Sequence, residues 1–181
     1  MKRTLKMMVF ALLAFGLLAC GGNGKKLTLD DVKAAKATLF NADGTLNTKE
    51  APGVAKTFSQ YATQNPNDTS AAKWLFHAME INVMLKDADK SEKLCNQLIK
   101  QYPQSKWAPM SLLFLGSFVY EDMINDTALA HATYQQLIDN YPESELVNDA
   151  QTLIELLGLT NEERMARIAM SQMNETEEID L

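Results

Sequence analysis

The sequence predicts an all-α protein, a solenoid of about four stacked αα-hairpins. Three observations predict it. The stretch LIKQYPQS (residues 98–105) returns as LIDNYPES (137–144), 39 residues later. Apolar residues stand at helix spacing before each Tyr-Pro pair: Leu94, Cys95 and Leu98 in one copy, Leu129, Ala130, Tyr134 and Leu137 in the other. The composition also favours helix, with only 8 Gly and 5 Pro in 181 residues and recurrent Ala, Leu, Lys, Glu, Gln and Met.

Each element follows from this frame. Pro103 and Pro142 cannot continue a helix and so end one. Ser105 and Ser144 are placed to cap the helix that follows. Upstream, LFHAMEI (75–81) lies against LFLGSFV (113–119) at a shift of 38, and the extra residue is assigned to the loops LKDADK and MINDTA. Phe58 precedes Pro66 by eight residues, as Cys95 precedes Pro103 and Tyr134 precedes Pro142. Residues 50–64 therefore read as the second helix of an earlier hairpin and 29–40 as its first. After Ser144 comes another first helix, ending near Gly158. Thr160 and Glu163 form a capping box that opens a last helix with one apolar stripe of Met165, Ile168 and Ala169. Pro52 and Pro109 stand near helix starts, where a missing N–H costs least.

The residues in this order resemble the tetratricopeptide repeat, W-x2-L-G-x2-Y, then A-x3-F, then P. Trp74, His77, Ala78 and Ile81 fill the first four sites in one copy; Leu112, Leu115, Gly116 and Val119 fill them in the next. Ser91, Cys95 and Pro103, then Ala130, Tyr134 and Pro142, fill the rest. The resemblance implies a right-handed solenoid whose first helices line a groove. By its register Met79, Asn82, Ser117, Tyr120 and Glu121 face that groove and meet protein partners.

The chain begins with Lys2, Arg3 and Lys6, then an apolar run from residue 7 to 19, then Cys20. Thirteen apolar residues are too few for a spanning helix, which needs about 20. The pattern is that of an export signal. Leu17-Leu18-Ala19-Cys20 resembles a bacterial lipobox, which implies that the Cys20 thiol carries lipid and that the signal is cut before it. We expect four segments: a lipoprotein signal peptide at 1–19, a lipidated tether at 20–27, the repeat domain at 28–173 and an acidic tail at 174–181. Gly21 follows the cysteine where an Asp would imply inner-membrane retention, so the expected location is the outer membrane, facing the periplasm. YPxS repeats after a lipobox are similar to the Tol–Pal coordinator family and to BamD-type assembly lipoproteins, and most like small tetratricopeptide lipoproteins of Bacteroidetes. The implied partners are cell-envelope proteins, in assembly or maintenance of the envelope.

Charge and motifs narrow the function. Net charge is −6, and losing Lys2, Arg3 and Lys6 deepens it to −9. Such a body repels phosphate backbones, so no nucleic-acid partner is expected. FNADGTLNTKE places Asn41, Asp43, Asn47 and Glu50 at calcium-like spacing around Gly44, but Leu39 would hold the first ligand position. The stretch instead reads as a turn with Gly44 or Asn41 at positive φ. His77 and His131, the only histidines, have no partners at metal spacing. Cys95 reads as a packed, inert thiol. With no nucleophile motif or phosphate loop, no enzyme, cofactor or metal is expected. The alternatives are a structural subunit of an envelope complex without a binding groove, or an envelope hydrolase or carbohydrate binder.

Overall fold

Each hairpin is handed to the next by the same short polar turn. Asp68, Ser105 and Ser144 occupy equivalent places after the helices that end at Gln64, Gln101 and Asn140. Each accepts through its side chain from the N–H two residues on: Ser70 at 2.7 Å, Trp107 at 3.3 Å and Leu146 at 3.2 Å. The backbone repeats too, with the Asp68, Ser105 and Ser144 N–H groups donating to the carbonyls of Asn65, Tyr102 and Tyr141. The two serines thus bond just ahead of the helix they were expected to cap, Ser105 one residue before the N-cap Lys106 and Ser144 two before the N-cap Leu146. Tyr102 adds a tie between hairpins, its hydroxyl donating to the Ala62 carbonyl at 3.1 Å.

The structure, a computed structural model, describes residues 26–179, with side chains as far as Met170. The signal segment, Cys20 and the side chains of the acidic tail lie outside the described residues. The helices are α1 (Leu29–Ala37), α2 (Ala51–Gln64), α3 (Ala71–Met84), α4 (Ala88–Gln101), α5 (Trp107–Phe114, running on as a π-helix through Leu115–Glu121), α6 (Thr127–Asn140), α7 (Val147–Leu156) and α8 (Asn161–Ile179). They form an αα-hairpin solenoid of about four repeats, as expected. Within it α1 pairs with α2, α3 with α4, and α5 with α6, while α3, α5 and α7 also pack on the hairpin before.

Two boundaries differ from expectation. The first helix stops at Ala37, three residues before Phe40, because Phe40 and Leu46 pair as an isolated antiparallel bridge. In the turn between them Gly44 takes φ +82°, while Asn41 does not turn positive. Asp43 accepts from the Thr45 N–H at 2.9 Å and hydroxyl at 2.6 Å, so local bonding claims the carboxylate. At the other boundary, Leu27 is already docked: its N–H donates to Gln64 Oε1 at 2.7 Å and its carbonyl accepts from Asn65 Nδ2 at 3.1 Å. The capping box at Thr160 and Glu163 forms as expected, and Thr28 with Asp31 makes a second one at α1.

The extra residue of the second repeat does not sit only in a loop. The buried positions of α3 and α5 match at a shift of 37 as far as Met79 and Gly116, then at 38 from Ile81 and Val119. The change falls inside the π-helix, where the Asp122 and Ile124 N–H groups reach back five residues, to Ser117 and Val119. A second inserted residue precedes Asn125, whose φ of 57° matches Lys86 at 61°. The equivalent residues are thus Met79 and Gly116, not Ala78 and Gly116.

That register explains the crossing of first and second helices. Gly116 lies against the fully buried ring of Tyr134; a Cβ there would meet Cδ1 at 2.9 Å and Cε1 nearer still. In the preceding repeat the equivalent places hold Met79 and Cys95, in the same core cluster. One repeat puts the large side chain on its first helix, the other on its second. Gly116→Ala is expected to destabilise by about 1–3 kcal/mol through overpacking, measured by urea denaturation. Gly116→Met with Tyr134→Cys copies the other repeat and should recover part of what Gly116→Met alone loses; an additive double mutant would mean the two positions do not share the volume.

Candidate functional site

The face built from first helices carries exposed apolar side chains. Half-buried Phe114 and exposed Phe118, four apart on α5, stand on one side of that helix, and Met84 ends α3 nearby. The bridge at Phe40 pins that ring at the same face. Phe40, Met84 and Phe118 are 50%, 42% and 45% exposed, unusual for large apolar residues in one region. A groove of about 320 Å³ runs between α1, α3 and α5, lined by Phe40, His77, Glu80, Met84 and Phe114, with Phe58 and Ile81 at its floor and Lys36 beside it.

An aromatic tier supports it. Phe118 packs on Phe114 at 4.4 Å between ring centroids, Phe114 on Phe76 at 5.7 Å edge-on, and Phe76 on Trp107 at 5.1 Å. His77 lies between Trp74 and Trp107, 5.7 Å from each, and its Nδ1 bonds Glu80 Oε2. Lys73 and Lys106 lie over the two indole rings at 5.5 and 5.4 Å. The tier is a stiff, preformed surface of the kind that supports apolar anchors.

The five residues expected at the groove are placed elsewhere. Met79 is fully buried in the core. Asn82, 4% exposed, donates to the Ala78 carbonyl at 2.7 Å and borders a cleft between second helices. Ser117 is half-buried, its hydroxyl 2.9 Å from that of Tyr134. Tyr120 is buried beside Cys95. Glu121 is held by Arg164 of α8 and accepts from the Tyr134 hydroxyl at 3.3 Å. The physical reason is angular: one residue along a helix turns the side chain by about 100°, so Glu80 and Phe118 face outward while Met79 and Ser117 face inward. The signal for the actual face was in the chain, since Phe114 and Phe118 have no role in the repeat pattern.

The buried ionisable groups are kept neutral. Burial pushes the Cys95 thiol up to about 12, although Ser111 accepts its proton at 3.4 Å. Burial also pushes the Tyr120 and Tyr134 hydroxyls up to about 12. The Ser70 hydroxyl and N–H hold the Asp68 carboxyl below the usual carboxylate range. Among the described residues no group of three or more His, Cys, Asp or Glu could hold a metal.

The tetratricopeptide repeat family matches residues 75–105 and 112–144, which are α3 with α4 and α5 with α6. These two stretches are similar to tetratricopeptide repeats, and repeats of this kind suggest a protein-interaction scaffold. No curated protein matches the chain.

Two outcomes follow from the neutral interior. Iodoacetamide at pH 8 should leave Cys95 unmodified in the folded chain and label it in urea, read by mass spectrometry. The raised values of Cys95, Tyr120 and Tyr134 stabilise the fold below their unfolded values of 9.0 and 10.0. That contribution is lost as pH rises from about 9 through about 12, so stability should fall over that window, measured by urea midpoint against pH.

Proposed function

We propose that the chain is a lipid-anchored scaffold of the outer membrane, facing the periplasm, that captures segments of cell-envelope proteins on its first-helix face. The observation that carries this reading is the exposed set Phe40, Met84 and Phe118, beside the half-buried Phe114, on a rigid aromatic tier. Its occupant is a protein segment with apolar anchors, since the groove is lined mostly by apolar and aromatic side chains, with Lys36 and Glu80 also among the lining residues. The lipobox supports the anchor. The resemblance to tetratricopeptide lipoproteins of the envelope supports the setting.

A second reading, a structural subunit of an envelope complex, is favoured by α8. Its Met165, Ile168 and Met170 are 73%, 42% and 64% exposed. Arg164 ties its first turn to Glu121 and to the Leu159 carbonyl.

Phe118→Asp with Met84→Asp alters exposed positions and should change stability by only about 0.5 kcal/mol. In cells it should reduce cross-linked partners about tenfold, the loss of one good apolar anchor. Undiminished cross-linking would shift the reading to α8 and the subunit. Cys20→Ala should abolish acyl labelling and release the protein from the membrane fraction; a variant still in that fraction would remove the anchor from the proposal.

A further inference from the structure

The second helices α2 and α4 enclose a cleft of about 560 Å³, apart from the first-helix groove. Asn82 of α3 borders it, and Lys56, Lys90 and Lys93 line it. No carboxylate lines it among the described residues, in a chain with 23 acidic and 17 basic residues. Lys90 is paired with Asp87 at 2.6 Å. Lys56 and Lys93 have no carboxylate partner among the described residues.

The cleft has a cause in the repeat itself. In the next hairpin the counterpart of Asn82 is Tyr120, whose hydroxyl interacts with Glu92 of α4. The counterpart of Glu92 on α2 is Ala55, 37 residues earlier, as Phe58 is of Cys95. Where the later hairpin joins Tyr to Glu, the earlier one sets Asn beside Ala. Two truncations at facing positions leave a space, and removing the carboxylate leaves its lining basic. Ala55 and Leu94 supply an apolar part of the wall.

We propose that this cleft binds an acidic segment of a partner protein. Charge decides the sign: unpaired ammonium groups on both walls favour carboxylates. Chemistry decides the pattern: Glu with small neighbours sets its carboxylates on Lys56 and Lys93 and its small side chains on Ala55 and Leu94. The site is independent of the first-helix groove.

The test uses the full chain and fluorescence anisotropy with a labelled decapeptide of alternating Glu and Ala. A Lys–Ala decapeptide and a short thymidine strand are the controls. Only the acidic peptide should bind, more weakly as salt rises. Lys56→Glu with Lys93→Glu should weaken it about tenfold or more. Asn82→Tyr, which restores the side chain of the later repeat, should do the same; its fold is checked by helix signal, and the surface charge reversal stands if that variant unfolds. Phe118→Asp, on the first-helix face, should leave this binding unchanged, which separates failure here from failure of the scaffold reading. No binding by the wild type, equal binding by the charge-reversed chain, or equal binding of either control would overturn the proposal.

Discussion

In the two middle hairpins the helices meet at one crossing, and there two side chains share a nearly fixed volume. Interiors are packed as tightly as organic crystals, so a large residue on one helix requires a small one on the other. Gly116 against Tyr134 meets that requirement one way; Met79 with Cys95 meets it the other. Everything else hangs on these crossings. They set the angle at which first helices present Phe114, Phe118 and Met84, and they bury Cys95 and Tyr134 deeply enough to keep both neutral.

The same logic, applied one layer out, explains the two concavities. A solenoid of identical repeats would fill every equivalent position alike. This chain does not. Tyr120 closes the space beneath α4 and α6, while Asn82 leaves open the space beneath α2 and α4. The first-helix groove arises from an end effect instead. No hairpin precedes α1 among the described residues, and the small bridged turn after it brings Phe40 to α3.

The repeat architecture was legible because it is written in period and punctuation. Tyr-Pro-x-Ser marks the turns, and the Thr160–Glu163 box marks the last helix; these are local signals whose bonds form between neighbours. The binding face was not legible in the same way. Deciding whether residue 79 or 80 faces outward requires the phase of a helix to within a fraction of a turn, and residues 75–81 and 113–119 can be aligned at 38 with good apolar matches. Only burial reveals that the first part of α5 matches at 37. The end of α1 was not legible for a related reason: Leu39 and Phe40 fit a helical pattern, but the pairing of Phe40 with Leu46 wins.

The π-helix of α5 has a consequence for how such a chain changes length. Adding one residue to an ordinary helix rotates all that follows by about 100° and would carry buried side chains into solvent. Here a wider winding absorbs the addition, so Leu115 and Gly116 before it and Val119 and Tyr120 after it all stay inward. The helix keeps phase across an insertion, and the repeat becomes extensible from its middle as well as at its loops. The residue pushed to the outside of the wide turn is Phe118, so the same winding that preserves the core also supplies the exposed ring.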